Sequence, residues 1–318
     1  MNKLQIYLAT LIMAGFMLVP VYVSVSGDTY ALILFGRILV FALAALGLNL
    51  ALGFGGMISL GHAMYIGLGA YSVGIMSSLG WHAGWLHLLV TMLVTAVVAG
   101  MLGWVALRTR NIAFIMITLA FAQLFYFIFM GLENFGGDDG MTLDVASNFG
   151  PLTGNPYAQY LATAVAVVVA ALALSRLVES RFGLVLRATM VSERRVNAVG
   201  TASLSYRLMA YVISAELCAL AGYFLVNLTG FVSPAYMAWT VSGELIVMVL
   251  LGGLGTVFGP VVGAAALLLV EEVLKGYTEH WPLVLGPAIV LMVVFLRKGL
   301  WGLLGSQKES ANATAEAK

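Results

Sequence analysis

The chain is organised as ten apolar runs, each near the roughly twenty residues needed to cross about 30 Å of hydrocarbon. They lie near 4–26, 30–52, 57–79, 85–107, 111–132, 157–178, 206–229, 241–253, 256–274 and 282–297. Nothing constrains the fold more. In a bilayer core every backbone N–H and C=O must find an internal partner, and a helix supplies one within a single segment. The predicted fold class is therefore all-α, a polytopic helical membrane protein with about eight to ten transmembrane helices. Composition agrees: 62% of the 318 residues are hydrophobic, 9% are charged and mean hydropathy is +1.01, far from a soluble domain. The 36 glycines against 7 prolines suit closely packed helices rather than disordered sequence. A net charge of +1 points to no nucleic-acid partner, and a single cysteine, Cys218, excludes an internal disulfide or a cysteine metal cluster.

Two of the runs look interrupted. The run at 241–253 is short, and 57–79 carries Gly61, Gly67, Gly69 and Gly74, so both are candidates for half-helices or re-entrant pieces. The first run follows Lys3 and ends near Ser24-x-Ser26, which resembles a signal-peptide cleavage site, but its apolar stretch is long enough to span and favours a retained helix.

Charge sets the expected orientation, because cytoplasmic loops collect Lys and Arg. Arg108 with Arg110, the stretch from Arg176 to Arg207, and Arg297 with Lys298 hold most of the basic residues. Ten spans put all three on one face, so both termini are expected in the cytoplasm, with 301–318 a polar cytoplasmic tail to a single transmembrane domain over 1–300. The loop 133–156 has four acids (Glu133, Asp138, Asp139, Asp144) and no basic residue, and is expected outside.

The loop 179–205 is predicted to form a short amphipathic helix: Leu184, Leu186, Val191, Val196 and Val199 alternate with Arg187, Glu193, Arg194 and Arg195, and Gly200 supplies a helix stop. On charge alone its arginines read first as headgroup anchors that enforce topology. The order RFGLVLRATMVSERRVNAVG at 181–200 shifts the reading, because it resembles the cytoplasmic EAA-like coupling loop of binding-protein-dependent ABC importer permeases.

Further blocks extend that likeness: ALGLNLALGFGGMISLGHAMYIGLGAY at 45–71, RNIAFIMITLAFAQ at 110–123, GGDDGMT at 136–142, YRLMAYVISAELCALAG at 206–222 and VMVLLGGLGTVFGPVVGA at 247–264. In this order they resemble the LivM-type permease family of branched-chain amino acid ABC importers, over most of 30–300. The resemblance implies a second related permease subunit, two cytoplasmic ABC ATPase subunits, a periplasmic or extracellular amino-acid-binding protein, and an inner (plasma) membrane of a bacterium or archaeon. Relatives of this kind also move urea, short amides or small aromatic acids, so the cargo stays open.

Within this frame the candidate sites fall in three groups. Arg187, Glu193, Arg194, Arg195, Ala198 and Gly200 are expected to dock the ATPase, with Arg176 and Arg207 left as membrane-edge anchors. Asn49, Gly53, Gly56, Ser59, Gly61, His62, Gly252 and Gly255 are expected to line or support the translocation path. Each helical glycine costs up to about 1 kcal/mol relative to alanine, so their density asks for close packing, a break, or exposed backbone. LGFGG at 52–56 and LGGLG at 251–255 form a faint internal repeat and are expected to face each other or a partner subunit. Asp138 and Asp139 stand for binding-protein docking, against the plainer reading of a solvated turn.

The chain carries no phosphate-binding loop, no metal-ligand spacing among His62, His82, His87 and His280, and no nucleophile motif. It is expected to be a non-enzymatic permease without cofactors, powered by separate ATPases. The rival class is an ion-coupled secondary carrier that uses Glu216, Glu244, Glu271 and Glu272 as a relay.

Overall fold

A computed structural model describes residues 3–143, 147–150, 155–295 and 299–302. Asp144, Arg297, Lys298 and the tail from 303 onward lie outside the described residues. Ten helices fall on the ten apolar runs: α1 (Lys3–Ser26), α2 (Thr29–Asn49), α3 (His62–Ser78), α4 (Gly84–Ala106), α5 (Ile112–Met130), α6 (Pro156–Glu179), α8 (Ser203–Thr229), α9 (Trp239–Gly252), α10 (Gly259–Tyr277) and α11 (Trp281–Phe295). The eleventh, α7 (Arg181–Ala198), is the amphipathic helix predicted between the arginines. Six of them, α1, α2 with its extension, α4, α5, α6 and α8, are long and apolar enough to cross a membrane. The chain is a polytopic helical membrane protein.

Local chemistry sets the boundaries. Gly27, at φ +74°, turns α1 into α2, and the Asp28 carboxylate accepts from Tyr30 N at 3.1 Å to cap α2. Asn155 does the same for α6, with Pro156 at the first helical position. Helix α2 continues through a π-helical turn, Leu50–Phe54, and then leaves helical geometry until His62.

Helix α8 is the hub and packs on α2, α3 and α4. At its crossing with α3 a Cβ on Gly222 would strike the Ile66 carbonyl, and one on Gly69 would strike the Ala219 carbonyl. Only glycine lets these two backbones touch. Helix α2 is buried on every side from Ile38 to Ala51, as a helix apolar all round must be. Helix α4 is two-faced: Thr91, Thr95, Ala99 and Gly103 are buried, whereas Leu89, Leu93, Val97 and Met101 are more than half exposed and form an outer apolar surface suited to lipid.

The helices alternate in direction between two ends. At one end lie α7, the α4–α5 turn with Arg110, and the start of α8. At the other, the short strands β1 (Met141–Thr142) and β2 (Phe231–Val232) pair antiparallel, and Asn148 bridges to Ala83. Gly299 packs on Gly253 and Trp301 on Phe258, which returns the described end of the chain to the α7 side.

Candidate coupling and translocation site

Two helices begin inside the bundle rather than at its ends. Helix α3 has 17 residues and α9 has 14, rising about 25 and 21 Å, less than the roughly 30 Å of a hydrocarbon core. Both were expected to be interrupted, and their first turns meet: Ala63 N donates to Ser242 Oγ at 2.9 Å. The lead-in to α3, residues 55–61, is non-helical; its first three backbone donors, Gly55, Gly56 and Met57, reach carbonyls of residues 50–52, and its last two are served by hydroxyl side chains. Leu60 N donates to Thr118 Oγ1 (3.2 Å) and Gly61 N to Ser59 Oγ (3.2 Å). This is the internal satisfaction that irregular backbone requires at membrane depth.

His62 is fully buried at this start point. Ser214 Oγ gives its proton to the Gly47 carbonyl (2.6 Å), so it accepts from His62 Nε2 at 2.8 Å. The imidazole lies edge-on to Tyr65 and Tyr211, whose hydroxyls are bonded to each other at 3.2 Å. His62 and Ser59 are thus brought together as a polar seam joining α2, α3 and α8.

The two glycine blocks also meet. Asn49, 2% exposed, donates through Nδ2 to the Thr256 carbonyl (2.8 Å) and accepts through Oδ1 from Gly255 N (3.2 Å). A Cβ on Gly53 would fall within 3 Å of Gly255 N. Gly252 presses on Gly259 at the α9–α10 turn, and Gly56, at φ +65°, packs on Met190 of α7. Asn49 is therefore the clasp of the internal repeat, and Gly56 is the point where the core touches α7.

Helix α7 has two sides. Gly183, Leu186 and Thr189 face inward and are buried, while Leu184, Met190, Val191 and Val199 are 56–84% exposed with Arg194, Arg195 and Ala198 beside them. The helix breaks at Ser192 (φ −161°, ψ 103°) and stops at Gly200 (φ +83°), where Thr201 N donates to the Val196 carbonyl at 3.3 Å. At the break, Glu193 accepts from Arg110 (2.9 Å), Arg207 (3.2 Å) and Ser203 Oγ (3.1 Å), tying α7 to the start of α5 and of α8. A cavity of about 360 Å³ opens beside it, lined by Gly56, Met57, Asn111, Glu193 and Arg207.

Three of the arginine-stretch residues make contacts within this chain. Arg207 is not a free membrane-edge anchor, since its side chain is 13% exposed and pairs with Glu193. Glu193 faces inward, occupied by two arginines. Arg187 folds back on the carbonyls of Val178 (3.1 Å) and Gly183 (3.3 Å) and closes the end of α6. Arg187, Arg194, Arg195, Ala198 and Gly200 are the exposed members of the group. Sequence reading missed Arg110, Thr118, Ser214, Ser242 and Thr256. Single hydroxyl residues in apolar runs carry no spacing signal, but a lone Glu among arginines, as at 193, is a usable hint of pairing.

Asp138 and Asp139 are exposed at the opposite end, in a turn where Gly136, Gly137 and Gly140 all have positive φ. Neither forms an ion pair among the described residues. Of the membrane carboxylates, Glu271 pairs with Lys275 (2.5 Å) and Arg37 (3.8 Å), and Glu272 accepts from the Tyr30 hydroxyl. Among the described residues Glu216 on α8 has no hydrogen-bond partner, so no chain of bonds links it to the other three acids.

Residues 30–296 match the family described as branched-chain amino acid transport system / permease component. The high-affinity branched-chain amino acid transport system permease protein LivM of Escherichia coli K12 is 25% identical over 305 residues, covering 88% of this chain and 72% of that protein. LivM of Salmonella typhimurium gives the same identity and coverage. The permease protein LivH of Escherichia coli K12 is 24% identical over 281 residues, covering 82% of this chain and 91% of that protein. No solved structure matches the chain. The chain belongs to the branched-chain amino acid transport permease family.

Proposed function

We propose that this chain is the membrane-spanning permease subunit of a binding-protein-dependent ABC importer. It passes branched-chain or related hydrophobic amino acids across the inner (plasma) membrane of a bacterium or archaeon. A second permease of this family would complete the path, and LivM and LivH, both similar to this chain, are two such permeases of one kind of transport system. Two cytoplasmic ATPases would supply the energy, and a periplasmic or extracellular binding protein would deliver cargo at the Asp138–Asp139 end.

The observation that carries this reading is the build of α7. Its inner side is fixed to α5 and α8 through Glu193 and reaches the 55–61 segment through Leu186 beside Gly55, and its outer side presents Val191, Arg194, Arg195 and Val199, exposed among the described residues. A surface helix held this way transmits a push from outside to the starts of α3, α5 and α8. The positive-inside rule supports a cytoplasmic position for that end, where Arg108, Arg110 and the α7 arginines gather.

The test is energetic. In cells carrying the complete system, uptake of L-leucine should collapse on ATP depletion and survive an uncoupler that removes the proton gradient. Loss with the uncoupler at constant ATP would favour an ion-coupled carrier instead.

A further inference from the structure

The inner side of α7 borders the cavity of about 360 Å³ that lies against the 55–58 segment, the start of α5 and the start of α8. Its lining joins three kinds of surface. The first is charge: two guanidinium groups, Arg110 and Arg207, stand there with one carboxylate, Glu193. Glu193 Oε1 accepts from the sheltered Arg207 (3.2 Å) and from Ser203 Oγ (3.1 Å). Arg110 reaches Oε2 with one Nη at 2.9 Å and keeps 60% of its side chain exposed. The rest of its planar fork bonds nothing among the described residues, and such a fork can take a carboxylate through two parallel bonds.

The second surface is backbone. The N–H groups of Gly55, Gly56 and Met57 are spent on carbonyls of residues 50–52, but the carbonyls of Gly55, Gly56, Met57 and Ile58 accept from no donor among the described residues. They stand just past the end of the continuous helical run Thr29–Phe54, where the helix dipole favours positive charge. Polar backbone left unsatisfied by its own chain belongs beside water or a ligand. The third surface is apolar, from Met57, Phe114 and Ile115. Asn111, at φ +52° the one non-glycine residue with positive φ among the described residues, also lines the cavity. A backbone of that kind costs energy and gathers at ligand sites.

We propose that this cavity binds a zwitterionic α-amino acid with an apolar side chain at the α7 end of the bundle. Arg110 takes the α-carboxylate, the carbonyls of 55–58 take the α-ammonium, and Met57, Phe114 and Ile115 meet the side chain. Glu193 stays satisfied by Arg207 and Ser203 while Arg110 turns to the ligand. The site rests on the reading of the chain as an amino-acid permease, and it adds a holding place for cargo on the cytoplasmic side, beside the helix that receives the ATPase.

The experiment uses the complete transporter in nanodiscs without ATP or binding protein, so that L-leucine reaches the cavity from solution. Ile58 lines the cavity and is 46% exposed; Ile58→Cys, in a Cys218→Ala background with cysteine-free partner subunits, reports through its rate of reaction with a water-soluble methanethiosulfonate. Met190→Cys, 56% exposed on the α7 wall, is a second reporter. Leucine should slow both reactions. L-leucinol, which lacks the carboxylate, and 4-methylpentanoate, which lacks the ammonium, should each need about tenfold more for the same slowing, the loss expected for one charge-assisted bond. Arg110→Gln should raise the half-protecting leucine concentration about tenfold and leave that of leucinol unchanged, and Arg110→Lys should recover part of the difference. No slowing by leucine, equal slowing by leucine and leucinol or by inorganic phosphate, or an Arg110→Gln that weakens leucine and leucinol alike overturns the site and leaves the importer reading standing. A wild-type transporter that moves no leucine with ATP overturns the reading beneath the site, and the site with it.

Discussion

The α3–α8 crossing and helix α7 border the same glycine-rich segment and treat their surfaces in opposite ways. At the crossing, Gly69 and Gly222 bring two backbones into contact and no side chain intervenes. On α7, the inner side is buried to the same standard, with Leu186 fully covered, while Leu184, Val191 and Val199 on the outer side are 64–84% exposed among the described residues. The difference separates two uses of apolar sequence: small residues mark where the protein touches itself, and exposed branched residues among arginines mark where something else must touch it. One region should respond to substitution through stability, the other through assembly.

The largest effect should come from the crossing. Gly222→Leu drives a side chain into the Ile66 carbonyl, which neither helix can relieve without separating, and should cost on the order of 3 kcal/mol or more. Thermal unfolding in detergent and the yield of monodisperse protein read this directly; a variant as stable as wild type would break the comparison on its core side. Next stands Asn49→Leu. It strands the half-buried Gly255 N–H and Thr256 carbonyl and should cost about 1–3 kcal/mol, with loosening of the α9–α10 turn visible as faster amide exchange near Gly255.

Smaller effects are expected around Glu193, and they should be unequal. Arg207, 13% exposed, contributes its charge in a sheltered site, and Arg207→Met should cost about 1–3 kcal/mol. Arg110, 60% exposed, faces solvent screening, and Arg110→Met should cost below about 1 kcal/mol. Equal losses would mean that the clamp is not organised around α8. Least of all, Asp138→Lys with Asp139→Lys should leave stability within about 0.5 kcal/mol of wild type. Its signature should be weaker stimulation of ATP hydrolysis by loaded binding protein, fading as salt is raised.

Much of the fold was legible because membrane helices announce themselves by length and composition. All ten apolar runs became helices, and the two marked as interrupted, at 57–79 and 241–253, became α3 with its non-helical lead-in and the 14-residue α9. The contact between LGFGG and LGGLG was legible as a repeat, though the side chain that joins them, Asn49, owes its role to a pairing about two hundred positions away that no local pattern encodes. The site was less legible for the same reason. Hydroxyls such as Thr118, Ser214 and Ser242 are scattered singly through apolar sequence and acquire partners only when the helices pack. The arginine stretch read as one surface, yet Arg207 is sheltered against Glu193, and exposed Arg187 bonds carbonyls of its own chain. Charge counts bear on the expected side of the membrane but not on which way an individual side chain turns.

The central claim is that the outer face of α7 receives the ATPase and passes its motion inward. Gly200 offers the most direct probe, because a Cβ there meets nothing within 4 Å among the described residues and its φ of +83° suits asparagine better than most other side chains. Purified transporter carrying Gly200→Asn should import L-leucine with ATP nearly as wild type does. Gly200→Trp should keep the folded permease yet separate ATP hydrolysis from uptake, leaving leucine import near background. Full ATP-driven uptake by the tryptophan variant would contradict the account and return α7 to a lipid-surface anchor.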